Sequence, residues 1–492
     1  MKASSISTLM TGLTLVATLG GLLFGYDTAV ISGAIGAIDR NFIDPLDLAE
    51  TARDSLSGLT IASALFGCVL GGAVAGGVAD HIGRKPTLML SALFFLVCSI
   101  GSAIPEIGLG PIGGMGAAAL LPFNVYRIIG GVGVGMASLV SPLYIAEIAA
   151  RGSRGRLVSY NQIAIVGGML LVYFVNWAIA RQGDDHWLNR TGWRLMFASE
   201  AIPALLFGLL LLFVPDTPRW LAMQGRRQDA LAVLTRLGGA DAPAVTVAEI
   251  EQSLVLRQES LFAFGGLVVL VGILLSVFQQ LVGINAVLYY APLMFKNMGA
   301  STDSALLQTV AVGVCNIAFT LIATATVDGL GRKPLLLIGA GIMAVAMFAL
   351  GSCFYWGRLG LPALLMMLLY IGGFALSWGP IVWVLLAEIF PNAIKGRALG
   401  IAVAAQWIAN LLVSWSFKIL DGNSALNAAF HHGFAYWLYG AMSLLAAWFV
   451  WRWVPETKGR SLESIQTLWR TPPAGSQADL DALSRPGVTT NG

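Results

Sequence analysis

The chain has 492 residues, of which 57% are hydrophobic and 11% are charged, and its formal net charge is +3. Soluble domains carry about 25% charged residues, whereas the apolar residues here form runs of about 20 or more, the length that crosses a hydrocarbon core. The composition therefore excludes an ordinary soluble domain. It predicts an all-α polytopic membrane protein whose surroundings are the lipid bilayer, and the near-neutral charge gives no indication of a nucleic-acid partner.

Twelve apolar segments follow one another along the chain, and each predicts a membrane-spanning helix. We place them at 9–36, 56–79, 87–104, 120–147, 157–180, 194–214, 262–294, 305–327, 334–353, 362–388, 397–418 and 433–453. The longest polar stretch between them sets charged residues around apolar ones at helical spacing, which predicts short amphipathic helices beside the membrane. The predicted domains are an N-terminal six-helix bundle at 1–214, these linker helices at 215–260, a C-terminal six-helix bundle at 261–454 and a tail at 455–492.

The distribution of charge gives an orientation and a prediction for the tail. Lysine and arginine are more numerous on the side that holds both chain ends, so both termini are predicted to be cytoplasmic. The end of the tail is polar and rich in proline and glycine, a composition typical of disordered segments.

The first segment carries a single carboxylate, Asp27. A carboxylate within the hydrocarbon costs roughly 2.5–3.5 kcal/mol on insertion scales, so such a group is usually paired, lines a water-filled path or carries protons. Arg127, near the start of the fourth segment, is the predicted partner. The pair is either an ion pair for assembly or a proton site that is switched when the arginine moves. Glu200 in the sixth segment is open to the same two interpretations.

The two halves of the chain repeat one another. Asp80–Pro86 recurs as Asp328–Pro334, and Glu147 with its following basic residues recurs as Glu388 with its own. Because six spans return the chain to its starting side, the two units are predicted to be parallel repeats. That is the layout of a transporter whose substrate site lies between the halves, near the middle of the membrane.

Seven motifs from about residue 13 to about residue 470 carry a family resemblance. They are Gly76–Lys85, Arg127–Gly131, Pro142–Glu147, Pro215–Arg219, Gln279–Tyr290, Trp378–Pro391 and Pro455–Gly459. Together they resemble the sugar-porter branch of the major facilitator superfamily.

The resemblance implies a monomeric transporter of the bacterial cytoplasmic (inner) membrane, and not an enzyme. Its implied activity is proton-coupled uptake of a monosaccharide, D-xylose or a glucose-like pyranose, by alternating access, without a cofactor, metal or catalytic residue. Three alternatives remain: a passive sugar facilitator, a hexose symporter and a transporter-like sugar sensor. An acid at the position of Asp27 accompanies proton coupling in the family, whereas passive relatives carry an amide, which assigns coupling to Asp27, Arg127 and Glu200.

The implied sugar site combines amides, which both donate and accept hydrogen bonds, with aromatic walls. The implied residues are Gln162, Gln279, Gln280, Asn285, Asn316, Trp383 and Gln406, with Phe24, Tyr289 and Trp407 as walls. Any one buried amide, taken by itself, is more typical of contacts between helices than of a binding site. Gln280 and Asn285 also lie about 140° apart on a straight helix, so a shared cavity requires a break near Gly283.

Acids and bases at the ends of the spans are predicted to form a cytoplasmic gate or, alternatively, to anchor the ends. The residues are Asp80 with Arg84, Glu147 with Arg154, Asp328 with Arg332, and Glu388 with Arg397. Two other patterns indicate packing. The glycine-rich run 130–135 lies inside an apolar span and predicts close helix contact instead of a nucleotide loop, and the four cysteines lie in apolar runs.

Overall fold

A computed structural model of the protein describes residues 8–149, 154–238, 243–255, 260–391 and 394–458, without the side chains of 253–255 and 328. Across these ranges the chain forms twelve helical spans, which confirms the all-α polytopic prediction. We number them 1 to 12 in chain order. Their bounds are Thr8–Gly33, Ser63–Ile82, Arg84–Ala103, Gly116–Ile148, Arg154–Ala180, Asp185–Leu211, Gly266–Asn297, Thr302–Val327, Arg332–Tyr355, Leu361–Ile389, Lys395–Gly422 and Phe434–Trp453.

The bounds differ from the predicted ones by a few residues, because hydropathy locates the apolar run and local backbone chemistry locates the helix ends. Span 7 begins at Gly266, after Gly265 takes a positive φ of 86°, and continues through the polar Lys296 and Asn297. The helix Glu50–Ile61 precedes span 2, and Ser424–Phe430 lies between spans 11 and 12. Three short helices follow span 6 where amphipathic helices are predicted: Pro218–Met223, Arg227–Leu237 and Pro243–Val255. The end of the tail, from residue 459, lies outside the described residues.

Two spans are interrupted near their middle. Span 7 consists of Gly266–Leu281 and Ile284–Asn297, separated by Val282 and Gly283. Gly283 has a φ of 92°, in the left-handed region that glycine enters without a steric penalty. Span 10 is broken in the same way at Ser377, which has φ −133° and ψ −85°. Each break frees backbone carbonyls from the helical pattern, and within a membrane they need other donors.

Spans 2 and 4 pack closely through glycine. A Cβ atom at Gly131 would collide with the backbone carbonyl of Ala64, and one at Gly67 would collide with the carbonyl of Ile128. The two backbones therefore touch directly, as small residues allow in membranes. The run 130–135 is thus a helix-packing surface, as the sequence indicates.

The two halves meet on one side of the membrane. We name the side where span 1 begins and span 12 ends the terminal face, and the opposite side the far face. At the far face the Lys418 ammonium donates to the Asp39 carboxylate at 3.1 Å, and the Trp415 indole N–H donates to the Ser55 hydroxyl at 3.2 Å. Deeper in, the Tyr173 hydroxyl donates to the Leu288 carbonyl at 2.8 Å. Each of these bonds joins the first half to the second, so the far face is closed.

Candidate functional site

Asp27 and Arg127 form a fully buried ion pair. The Nη1 atom of Arg127 lies 2.6 Å from Asp27 Oδ1, and Nη2 donates to the backbone carbonyl of Asp27 at 3.0 Å. The two side chains are 0% and 1% exposed. The arginine thus holds both the carboxylate and the backbone of span 1. Removing one partner of such a pair typically costs about 3–5 kcal/mol, because the other charge remains buried.

Two further groups complete this cluster. Both carboxylate oxygens of Glu200 are buried without a hydrogen-bond partner among the described residues, as is Asp27 Oδ2. The Cys98 thiol donates to Asp27 Oδ1 at 3.4 Å. Among the described residues the cluster therefore holds two buried carboxylates and one arginine, so only one of the two carboxylates is balanced by a cation.

The same cluster is also the place where a metal ion would find ligands. One ligand atom each from Asp27, Cys98 and Glu200 lie within 4.8 Å of one another. Arg127 already supplies the positive charge at Asp27 Oδ1.

The sequence predicts a packing role for Cys98, since its neighbours along the chain are apolar and nothing local places it against Asp27.

The break in span 7 brings Gln280 and Asn285 together. The Asn285 amide donates to the Gln280 side-chain oxygen at 2.6 Å, although the two residues point apart on a straight helix. Gly283 supplies the backbone turn that sequence analysis requires at this point. Gln279, one residue earlier, donates to the Trp378 carbonyl at 2.9 Å, at the break of span 10.

The other amides and the tryptophan Trp383 of the predicted sugar site lie on spans 5, 8, 10 and 11. Asn316 and Gln406 are buried, and Gln162 and Trp383 are half-buried. Spans 5 and 8, which carry Gln162 and Asn316, pack against each other. The Phe24 ring lies 5.5 Å from the Trp407 ring and joins span 1 to span 11.

Three polar atoms of the predicted sugar-site residues are buried and have no partner among the described residues: Gln279 Oε1, Gln406 Oε1 and Trp407 Nε1. Two acceptors and one donor beside aromatic rings suit a small molecule with hydroxyl groups. Sequence analysis missed Asn410, whose amide donates to the Tyr289 hydroxyl at 3.5 Å. Its position one helical turn after Gln406 is the signal that could have found it.

The gate motif of the first half is a closed set of bonds at the terminal face. Arg84 contacts Glu147 through Nε and Nη2, both at 3.0 Å, and Asp80 at 3.0 Å. The Thr217 hydroxyl donates to the same glutamate. Glu147 thus pairs with Arg84, and the proposed partner Arg154 is exposed at the start of span 5. The reason is that Arg84, at the first turn of span 3, reaches Glu147 from a nearly buried position.

The second half repeats this arrangement. Arg332 contacts Glu388 at 2.9 Å, and the Thr457 hydroxyl donates to Glu388 at 2.6 Å. Glu388 therefore pairs with Arg332, and Arg397 is an exposed residue near the start of span 11. The side chain of Asp328 lies outside the described residues. Each pair therefore joins two residues of the same half, and neither pair bridges the two halves.

Beside this motif, one acid in each half accepts hydrogen bonds from backbone N–H groups: Asp216 in the first half and Glu456 in the second. The pKa values of these two acids shift in different directions. Burial raises the pKa of Asp216, although the N–H groups of Thr217 and Arg84 oppose it. Burial also acts to raise the pKa of Glu456, but hydrogen bonds from the surrounding N–H groups outweigh this effect and lower the pKa. The pKa values of the two acids are therefore shifted in opposite directions from their ordinary values.

A sequence model described as "Sugar (and other) transporter" matches residues 13–469. Among characterised proteins, the D-xylose-proton symporter of Escherichia coli is 54% identical over 478 residues, which cover 95% of this chain and 97% of that protein. The glucose facilitated diffusion protein of Zymomonas mobilis is 46% identical over 475 residues, covering 96% of this chain and 100% of that protein.

Solved structures of the xylose transporter from Escherichia coli are similar to this chain. The partially occluded inward-open conformation matches with a TM-score of 0.85 and 51% identity, over 92% of this chain and 100% of the other. The complex with 6-bromo-6-deoxy-D-glucose matches with a TM-score of 0.83 and 53% identity, over 95% of this chain and 100% of the other.

Proposed function

The chain belongs to the sugar transporter family, and we propose that it takes up D-xylose together with protons. The observation that carries this proposal is the buried pair of Asp27 and Arg127, with the unpartnered carboxylate of Glu200 beside it. A passive carrier has no need of two carboxylates and one arginine in its interior, since each costs free energy to bury. The relationship to a proton symporter supports the same conclusion.

The proton site works through Asp27 and Arg127. While Asp27 is ionised, Arg127 holds both its carboxylate and its backbone carbonyl. Protonation removes the charge and weakens this bond, so the arginine is released. Glu200 lies in the same cluster and takes part in passing the proton.

The sugar binds at the break of span 7, against spans 5, 8, 10 and 11. Gln162, Gln279, Gln280, Asn285, Asn316, Trp383 and Gln406 bind its hydroxyls, and Phe24, Tyr289 and Trp407 form its walls. Phe24 and Trp407 belong to different halves, so the sugar contacts both. Rocking of the bundles 1–214 and 261–454 about this site gives alternating access.

The terminal face is the cytoplasmic face of a bacterial inner membrane, and the protein works there as a monomer. The excess of lysine and arginine on that side supports this orientation. The bond between Lys418 and Asp39 joins the halves at the far face, which supports an inward-facing state. The motifs around Arg84 and Arg332 fix the span ends within each half and come together between the halves when the carrier faces outward.

A passive facilitator is the second candidate. The relationship to a glucose facilitated diffusion protein at 46% identity favours it, because the same sugar site serves a carrier without proton coupling. The two candidates differ in one property. A symporter accumulates sugar against a gradient, and a facilitator brings the two sides to equal concentration.

Uptake of labelled D-xylose into proteoliposomes under an imposed inward proton gradient tests the proposal, with D-glucose as competitor. We expect accumulation that a protonophore abolishes. Equilibration without accumulation would establish the facilitator. If glucose is transported and xylose is not, the substrate is a hexose.

A further inference from the structure

The breaks of spans 7 and 10 are bonded to each other in both directions. The Tyr370 hydroxyl, from the half of span 10 near the far face, donates to the Val282 carbonyl at the break of span 7, at 2.7 Å. In return, the Gln279 amide of span 7 donates to the Trp378 carbonyl at the break of span 10 at 2.9 Å and to the Gly379 carbonyl at 3.3 Å. We name these two interactions the break clasp.

The clasp satisfies backbone groups that the breaks set free. Tyr370 and Val282 are both 0% exposed, and Gln279 is 2% exposed, so water does not replace either bond. The ring of Tyr439 closes the other side of the turn, because a Cβ at Gly283 would collide with it. The backbone turn between Gln280 and Asn285 is therefore held by span 10 as well as by glycine.

We propose that Tyr370 is a positioning residue for sugar binding, acting through the Val282 carbonyl to keep Gln280 and Asn285 directed into one cavity. This inference deepens the proposed function and rests on it. Gln279 adds a second consequence. Its side-chain N–H is bonded to span 10, whereas its side-chain oxygen has no partner within the described part of the chain, so a sugar hydroxyl that binds this oxygen contacts a residue already bonded to the other broken span.

Because these bonds link the two broken spans, movement of one span is coupled to movement of the other. Displacement of the half of span 7 that ends at the far face breaks the bond to Tyr370, and displacement of the other half of span 10 breaks the bond to Gln279. Both bonds share the short segment from Gln279 to Val282. A sugar bound to this segment is therefore linked by hydrogen bonds to both breaks.

The test compares Tyr370→Phe, which removes only the hydroxyl, with Tyr436→Phe as a matched control. Tyr436 is a buried tyrosine of span 12 in the same half, and its hydroxyl has no partner among the described residues. The first measurement is hydrogen exchange of the full-length protein without sugar. We expect faster exchange at 278–290 in Tyr370→Phe than in the wild type, and no change in Tyr436→Phe.

The second measurement is equilibrium binding of D-xylose in detergent. One lost hydrogen bond at a buried site corresponds to about a tenfold increase in Kd. We expect this increase in Tyr370→Phe, with the pH profile of uptake unchanged. Replacement of Tyr370 by 4-aminophenylalanine, which keeps the ring and a donor, is expected to restore the affinity.

The outcomes separate the clasp from the function. Unchanged exchange at 278–290 in Tyr370→Phe overturns the clasp whatever the substrate is. Faster exchange with an unchanged Kd overturns the positioning role and leaves the proposed function intact. Wild-type protein that binds neither D-xylose nor D-glucose refutes the proposed function, and the positioning role with it.

Discussion

The two halves of the molecule supply different chemistry to its centre. The first half contributes buried charge through Asp27, Arg127 and Glu200 of spans 1, 4 and 6. The second contributes neutral amides and rings, carried mainly by the broken span 7 and by span 11. The two halves therefore share a sequence repeat but differ in the chemistry of their buried residues.

The division has a physical reason. Buried charge is tolerated where it is paired, and glycine contacts between spans 2 and 4 bring their backbones together beside Arg127. Hydroxyl recognition needs donors and acceptors that remain partly unsatisfied, and the broken spans supply them near Gly283 and Ser377. The following predictions test whether the two tasks are separable, in order of decreasing effect.

Asp27→Asn is expected to abolish uphill accumulation, because the amide cannot carry the proton. Sugar exchange is expected to persist, since all the proposed sugar-binding amides except Gln162 are in the other half. Proteoliposomes with an imposed proton gradient measure the first property, and counterflow of labelled xylose measures the second. Retained accumulation in this variant would remove Asp27 from the coupling role.

Gln280→Ala is expected to show the reverse pattern. It removes the acceptor of the Asn285 amide, and leaving one buried polar group unpaired costs about 1–3 kcal/mol, which is about a 5- to 150-fold increase in Kd. The pH profile of uptake should not change. Gln308→Ala is the matched control, because the amide of Gln308 donates to Ser304 of its own span. A shifted pH profile in Gln280→Ala would contradict the division between the halves.

Cys98→Ser and Cys98→Ala are expected to move the pH dependence in opposite directions. A hydroxyl is a stronger donor to ionised Asp27 than a thiol, so the pH at which coupled uptake is half-maximal should fall in the serine variant and rise in the alanine variant. Each shift should be less than about one pH unit. Cys68→Ala removes a similarly buried thiol of span 2 and is the control. Equal pH profiles of uptake in all three variants would show that Cys98 serves only in packing.

The smallest expected effect concerns the far face. The hydrogen bond to Asp421 raises the pKa of His432 above its usual 6.5, although burial opposes it. A raised folded-state pKa means that the stabilisation is complete below about pH 6.5 and is lost as the pH rises through the raised value. We expect His432→Gln to lower the unfolding temperature by about 1 °C at about pH 6 and to have no effect at about pH 9.

His431→Gln serves as the control for this last prediction. The His431 ring contacts the Tyr355 carbonyl at 3.1 Å instead of a carboxylate. A loss of stability that is the same at both pH values in His432→Gln would show that packing, and not the ion pair, is responsible.

Much of this protein was determined by the sequence itself. The number of spans follows from apolar run length, because each run must cover the same hydrocarbon thickness. The pair of Asp27 and Arg127 was predicted because few charges occur in the spans, and the break at Gly283 because two amides five residues apart cannot otherwise share a cavity. These inferences depend on composition and on local helical geometry.

The tertiary structure alone decided the remaining contacts. Glu147 and Glu388 pair with Arg84 and Arg332, which lie far from them along the chain, although Arg154 and Arg397 are nearer in sequence. Cys98 contacts Asp27, and Tyr370 reaches the break of span 7, only because separate helices pack side by side. Sequence patterns record which face of a helix is polar, but the partner of a side chain depends on the rotation and depth of neighbouring spans, which packing sets.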